Sequence, residues 1–205
     1  DMLTLKAGLA GSVNTMSARL IDKVTPENVV RLAKAAGIES EIQANPAIAL
    51  GAVDLSLLEM VGAYATFANE GLRVSPMILT RIEDKNGTVL EEFTPETKEV
   101  LSEEAAYVVL DLLKGVTQSG SGLRLRTTWK KADYITGHPY KFTNPIAGKT
   151  GTTQNQSDGW FMGITPNLVV GTWVGGAGSW AFALLGGGLY ENPPEQFAMD
   201  SPCGN

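Results

Sequence analysis

The order of hydrophobic patterns along the chain constrains its fold more than any single motif does. Apolar residues recur at helical spacing over residues 5–20, and a further helical pattern runs from Ser102 to about Val116. Runs rich in strand-forming residues come later, at 160–165 and 168–174, with Pro166-Asn167 between them. Helices followed by a sheet built from hairpins indicate an α+β fold, not the regular alternation of a parallel sheet.

Local signals predict where several elements begin and end. Pro26 suits the first position of a helix, and Ser56 with Glu59 is typical of a capping box that opens the next one, which Gly71 ends. Asn86-Gly87 predicts a hairpin turn between strands at 77–83 and 88–93. Residues 119–145 alternate between basic and aromatic side chains, and we expect a loop there.

Charge and rare residue types exclude several function classes. The net charge of −6 argues against a nucleic-acid partner, which needs a basic surface. His138 is the only histidine and Cys203 the only cysteine, so a Ser-His-Asp triad, an internal disulfide or a histidine or cysteine metal site is not expected. No apolar run in the sequence is long enough to span a bilayer.

The segment AGKTGTTQNQSDGWFMG, which starts at residue 147, carries the strongest chemical signal. We expect residues 147–154 to form an edge strand whose glycines allow another backbone to approach and pair with it. Lys149 offers a positive charge, and Thr150 and Thr152 offer hydroxyl donors. These groups suit a peptide that ends in a carboxylate. The Thr152 N–H could also stabilise an oxyanion, an effect of roughly 3 kcal/mol per donor.

Two alternative interpretations apply to this segment. A Gly/Thr-rich turn with a solvated lysine has the same composition. A phosphate-binding loop also ends in Gly-Lys-Thr, but it needs a glycine where Thr143 stands and a helix after the threonine. Gly151 and the strand-forming run that follows contradict the phosphate-binding interpretation.

A second element, Ser12-Val13-Asn14, lies near the start of the chain. Gly11 can end one helix, and Ser12 or Asn14 would by itself be an ordinary cap of the next. However, Ser-x-Asn and Lys-Thr-Gly occur together in penicillin-binding proteins and related β-lactamases, with a serine–lysine motif as the third element.

Longer stretches extend this match. GSVNTMSARL, IALGAVDLSLLEMVGAYATFANEG and AGKTGTTQNQSDGWFMGITPNLVVGTWVGG resemble, in this order, the transpeptidase domain of class A (bifunctional) penicillin-binding proteins. The resemblance covers roughly Leu3 to Gly176. It implies an antiparallel sheet flanked by helices, as in serine β-lactamases, with residues 1–205 forming the C-terminal part of one transpeptidase domain. Residues 176–205 depart from the family pattern.

The resemblance also implies residue roles. Lys149 would hold positive potential and hydrogen-bond toward Ser12, which would relay a proton to the leaving amine. Asn14 would bind the donor peptide's amide, and the Thr152 amide would complete the oxyanion hole. Strand alternation alone would place Lys149 and Thr152 on opposite faces, so both are expected to reach the cleft because the strand is an edge. The substrate-binding residues implied are Thr150, Gly151, Thr152 and Thr153.

The family's nucleophile motif, Ser-x-x-Lys, is missing from the sequence. Thr127 with Lys130 and Thr128 with Lys131 have the spacing, but we interpret them as solvated loop residues. We therefore expect the nucleophile upstream of Asp1, and this chain alone is predicted to be inactive.

The implied function is a peptidoglycan D,D-transpeptidase that works through a serine acyl-enzyme and is a target of β-lactams. The implied partners are D-Ala-D-Ala stem peptides, β-lactam antibiotics and the upstream part of the same protein, without a cofactor. The implied location is the bacterial periplasm, at the outer face of the cytoplasmic membrane. A non-catalytic penicillin-binding sensor domain, or a serine β-lactamase or D,D-carboxypeptidase, is the alternative.

Overall fold

The computed structural model describes residues 3–131, 134–137, 142–153 and 158–175, with the backbone alone at 128–131 and 134–137. The predictions for His138 and for residues 176–205 lie outside these ranges. The helices of the described part are α1 (Leu5–Ala10), α2 (Asn14–Val24), α3 (Pro26–Ala35), α4 (Leu57–Ala68) and α5 (Glu103–Ser119), with short 3-10 turns at Pro46–Leu50 and Leu123–Leu125.

Local signals set the helix ends largely as predicted. Pro26 is the first residue of α3. Ser56 and Glu59 form a complete capping box at α4, where each side chain accepts a backbone N–H of the other residue. Helix α5 starts after Ser102 and continues to Ser119, three residues past the predicted end.

In the part of the chain that the structure describes, the strands pair only with antiparallel neighbours. They are β1 (Leu72–Val74), β2 (Arg81–Glu83), β3 (Val89–Glu92), β4 (Thr97–Glu99), β5 (Thr128–Lys131), β6 (Tyr134–Gly137), β7 (Ala147–Thr152), β8 (Asp158–Thr165) and β9 (Leu168–Gly175). Three two-stranded sheets, β1-β4, β2-β3 and β5-β6, accompany one three-stranded sheet in the order β7-β8-β9. The α+β prediction and the hairpin at 160–174 are confirmed.

The Asn86-Gly87 hairpin forms, but its strands are shorter than predicted. The Asp84 carboxylate accepts the N–H groups of Asn86 at 2.8 Å and Thr88 at 2.9 Å, and Gly87 takes the positive φ of 85° that the turn requires. Strand β2 begins at Arg81 instead of residue 77. The Phe93 N–H still donates to the Thr80 carbonyl at 2.9 Å, but further along the register Pro95, which has no N–H to donate, would lie opposite Ile78.

The prediction of a loop at 119–145 is wrong in part. Residues 119–145 include the last residue of α5, a 3-10 turn and the β5–β6 hairpin, in which Trp129 pairs with Thr136. Thr128-Trp129 and Tyr134-Ile135 are strand-forming residues, and the lysines interleaved with them conceal that preference in the sequence. Of the residues with a Thr-x-x-Lys spacing, Thr128, Lys130 and Lys131 therefore lie on β5 and not in a loop, and Thr127 directly precedes the strand.

Helix α5 packs across the three-stranded sheet and positions its first strand. Leu113, Ala147 and Ile164 form the buried cluster, and Tyr64 of α4 packs against it. The fully buried Thr117 hydroxyl donates to the Ile146 carbonyl at 2.6 Å, immediately before β7 begins. This buried bond fixes the start of β7 to the end of α5.

Candidate active site

Ser12 lies in a strained left-handed turn between α1 and α2. Its φ is 52°, its N–H donates to Leu9 O at 3.1 Å, and the Val13 N–H donates to Gly8 O at 2.9 Å. These two bonds form a Schellman motif, in which glycine usually occupies the left-handed position that Ser12 takes here. A side chain in this conformation is typical of functional sites, where it is held against strain.

The cap interpretation of Ser12 and Asn14 is wrong. Val13 is the N-cap of α2, without a side-chain hydrogen bond, and Asn14 is the first residue of the helix. The carbonyls of α1 accept the N–H groups of Ser12 and Val13 and so hold the backbone of the turn. Both side chains are exposed.

Strand β7 pairs with β8 on one side only, within the described residues. The Thr153 N–H donates to Asp158 O at 3.1 Å, so Thr153 faces β8. Because antiparallel backbone groups alternate in direction, the N–H and C=O groups of Thr150 and Thr152 point away from β8, toward the open edge. The edge strand predicted at 147–154 is confirmed for residues 147–152, while residue 154 lies outside the described ranges, and the Thr152 amide is available to a second chain.

Two glycines of β7 lie close against β8. A Cβ at Gly148 would lie 2.6 Å from the Met162 carbonyl oxygen and 2.9 Å from the ring of Phe161, so a larger residue there needs a shift of β8. A Cβ at Gly151 would make a tight contact of 3.1 Å with Cβ of Trp160. Small residues therefore let β7 lie flat against the aromatic side chains of its neighbour. The strand is held rigidly on one side while its other edge stays open.

Lys149 joins the strand to the Ser12 turn. Its ammonium group donates to the Ser12 hydroxyl and to the Thr150 carbonyl, the latter at 2.7 Å. Burial lowers the pKa of Lys149 below its ordinary value. In the described part of the chain no carboxylate forms an ion pair with it. A partly desolvated cation without a counter-charge creates a positive potential that favours an anionic ligand.

The remaining predicted residues lie along the same strand. Thr150 is half-buried and Thr152 is exposed at the end of β7. The Thr153 hydroxyl donates to Asp158 Oδ2 at 3.0 Å and accepts the Asp158 N–H at 2.9 Å, so it ties the residue after β7 to the first residue of β8. The assignment of Thr153 and of Gly151 to substrate binding stays a prediction.

Ser121 is a residue that the sequence did not single out. Its hydroxyl lies 2.5 Å from that of Thr150, next to Lys149. A signal was present in the Gly120-Ser121-Gly122 run directly after α5, where small residues allow close backbone approach.

The described residues contain no cluster of three or more histidine, cysteine, aspartate or glutamate side chains placed to hold a metal ion. No helix within them has the length and apolar character needed to cross a membrane.

Comparison with known proteins identifies the family. The profile described as "Penicillin binding protein transpeptidase domain" matches residues 1–175. The chain belongs to this family. Among the curated members, penicillin-binding protein 1A of Aquifex aeolicus is 38% identical over 173 residues, and penicillin-binding protein 2D of Bacillus subtilis is 34% identical over 175. Each alignment covers 84% of this chain but only 22% and 24% of the relative.

Solved structures of the penicillin-binding transpeptidase family share the fold. Penicillin-binding protein 1A of Haemophilus influenzae superposes with a TM-score of 0.68 and 26% identity, over 84% of this chain and 30% of that one. The PonA1 protein of Mycobacterium tuberculosis, solved in complex with penicillin V, gives a TM-score of 0.68 and 26% identity over 84% and 47%. The resemblance deduced from the motifs and the predicted fold class are therefore confirmed.

Proposed function

We propose that this chain is part of a peptidoglycan D,D-transpeptidase, which cross-links stem peptides through a serine acyl-enzyme and is inhibited by β-lactams. The observation that carries the proposal is the hydrogen bond from the Lys149 ammonium group to the Ser12 hydroxyl, beside the open edge of β7. It links two residues that are 137 positions apart in sequence. Neither helix capping nor a solvated lysine explains this pairing.

The donor peptide binds along the edge of β7 in this proposal. Its backbone pairs with the outward-facing groups of Thr150 and Thr152, as in other cases of strand addition. The hydroxyls of Thr150 and Thr152 bind the terminal carboxylate, while Lys149 supplies the positive potential. Asn14, two residues beyond Ser12, binds an amide of the donor.

The reaction then proceeds in two acyl transfers. A serine oxygen supplied from outside this chain attacks the carbonyl carbon of the penultimate D-Ala, and the Thr152 N–H stabilises the oxyanion. The C–N bond breaks as Ser12 takes up the proton that the attacking serine gives up and passes its own to the departing D-Ala amine. An amine of a neighbouring stem peptide then attacks the ester and loses a proton to the serine oxygen, which forms the new amide and releases the serine. Lys149 orients the Ser12 hydroxyl throughout.

The wider protein is proposed from the family resemblance and the relatives. Similarity to two penicillin-binding proteins 1A and to a structure that contains penicillin V supports a β-lactam-binding, bifunctional glycosyltransferase and transpeptidase. Its substrate places the domain in the periplasm, at the outer face of the bacterial cytoplasmic membrane. Without the segment that carries the nucleophile, the chain is inactive by itself.

Acylation by a fluorescent penicillin tests the proposal, with full-length protein as the reagent. We expect the wild type to be labelled and Lys149→Ala to be labelled at least 100-fold more slowly, the size of effect typical when a preorganised charged donor is removed. Lys98→Ala is the matched control, because Lys98 is an exposed lysine on β4. Equal labelling rates for wild type and Lys149→Ala would overturn the site assignment.

The fate of a D-Ala-D-Ala donor distinguishes the proposed activity from its alternatives. With an acceptor amine present, a transpeptidase forms a cross-linked amide product. A D,D-carboxypeptidase or β-lactamase releases mainly the hydrolysed product. A sensor domain is acylated but turns over neither substrate. Either of the last two outcomes refutes the transpeptidase proposal.

A further inference from the structure

The segment after α5 touches both halves of the proposed site. The Ser121 N–H donates to the Ala10 carbonyl at 3.0 Å, two residues before Ser12. A Cβ at Gly120 would lie 2.2 Å from that same carbonyl oxygen, so only glycine allows the approach. The backbone of this segment is therefore packed directly on the end of α1.

The side chain of Ser121 contacts the opposite half. Its Oγ lies 2.5 Å from the Oγ1 of Thr150, whose carbonyl in turn accepts the Lys149 ammonium group. One residue thus holds the end of α1 through its amide and β7 through its hydroxyl. Ser12 and Lys149, which meet between these two elements, are each within two residues of a Ser121 contact.

We propose that Ser121 is a positioning residue that orients the Thr150 hydroxyl toward the carboxylate of the incoming peptide or β-lactam. The inference rests on the proposed function and adds a specificity role to it. When the Ser121 hydroxyl donates to Thr150 Oγ1, the Thr150 proton is directed away from Ser121 and toward the ligand. Hydrogen bonds in such a chain polarise one another, so the Thr150 bond to an anion becomes stronger.

The proposal predicts a defect in binding without a defect in chemistry. In Ser121→Ala the Thr150 hydroxyl can rotate freely, while Ser12 and Lys149 keep their contact. We expect the penicillin concentration for half-maximal acylation rate to rise about 5- to 20-fold, the range of a single hydrogen bond that supports a charged ligand. The limiting acylation rate should change less than about 2-fold. Ser121→Thr keeps the hydroxyl and should restore binding.

Thr150 provides the decisive comparison. Because Ser121 acts through Thr150, Ser121→Ala should add nothing to the binding defect of Thr150→Val, so the two changes are strongly non-additive. A merely structural role of Ser121 would weaken binding equally in both backgrounds. Ser119→Ala is the matched control, since that hydroxyl bonds only the Gly115 carbonyl of its own helix, at 3.5 Å.

The outcomes separate this inference from the proposed function. All variants are made in the full-length protein, and their melting temperatures are compared first; if Ser121→Ala does not fold, Ser121→Cys takes its place. The inference alone is overturned if the wild type is acylated but Ser121→Ala has the same half-saturating penicillin concentration. It is also overturned if the effects of Ser121→Ala and Thr150→Val on that concentration are additive. Failure of the wild type to become acylated overturns the proposed function and this inference with it.

Discussion

Replacing Ser12 by glycine should leave the protein more stable than replacing it by alanine, because both changes remove activity and the hydrogen bond to Lys149 but only glycine relieves the backbone. Ser12 has a φ of 52° in a Schellman motif. A side chain in the left-handed region costs roughly 1–2 kcal/mol, and glycine relieves it. Glycine also gives the unfolded chain more freedom, which subtracts about 0.5–1 kcal/mol. The net gain over alanine is about 0.5–1 kcal/mol, or roughly 1–4 °C in melting temperature for a domain of this size.

Two companion variants separate strain from chemistry. Ser12→Ala removes the hydroxyl but keeps the Cβ. Its acylation rate should therefore fall as far as that of Ser12→Gly, without a gain in stability. Glu70→Gly removes a comparable strain, at a φ of 55°, away from the Lys149 contact, and should raise stability with acylation unchanged.

Calorimetry of the full-length protein, with the transpeptidase transition identified by its shift on acylation of the wild type, measures the stabilities. Labelling by a fluorescent penicillin measures activity. A Ser12→Gly melting temperature at or below that of Ser12→Ala, or full activity of Ser12→Gly, would refute the reasoning.

Three further perturbations have defined outcomes. Burial alone would raise the pKa of Glu59, but hydrogen bonds from Ser56 and Ser40 outweigh it and lower the pKa to about 2. Glu59→Gln should therefore lower the free energy of unfolding by about 2 kcal/mol at pH 7, a value reduced to allow for the exposure of the side chain. In urea unfolding, the difference between this variant and the wild type should vanish as the pH falls from about 4.5 to 2. Thr117→Val leaves a buried carbonyl unpaired and should cost about 1–3 kcal/mol in the same assay. Burial lowers the pKa of Lys149, so the acylation rate should fall at high pH as the lysine loses its charge. Lys149→Arg should be acylated more slowly at all pH values but should lack this alkaline decline, because arginine stays charged. An alkaline decline that persists in Lys149→Arg would exclude Lys149 as its source.

Elements set by neighbouring residues were predictable from the sequence. The capping box of Ser56 and Glu59 depends on residues three positions apart, and the turn at Gly87 depends on one required φ. The same local rules misjudged Ser12, because serine before a helix is usually a cap. Its conformation is set instead by the preceding helix end, and its side chain is held by Lys149 on a distant strand. The sequence signal for that contact was the pair of family motifs, not a local pattern.

Contacts between distant segments explain what else was missed. Ser121 is a small polar residue at a helix end, which local rules treat as part of a turn. Its significance comes from lying between α1 and β7, and only the packing of α5 determines that position. The β5–β6 hairpin was missed for a different reason. Pairing between its two strands stabilises it, but the lysines that alternate with its strand-forming residues conceal the strand preference in the sequence.

Helix α5 is the element that sets the distance between the two halves of the proposed site. Near its C-terminal end, a Cβ at Gly115 would lie 3.2 Å from Cγ of Lys6 and 3.4 Å from Cβ of Ala10, so α1 packs closely on this face of α5. Two residues later Thr117 holds the carbonyl of Ile146, and just past the helix Ser121 contacts both sides. Since the bond between Lys149 and Ser12 spans the elements that α5 joins, a change in the packing of this one helix should alter the geometry of the proposed site without touching Ser12 or Lys149.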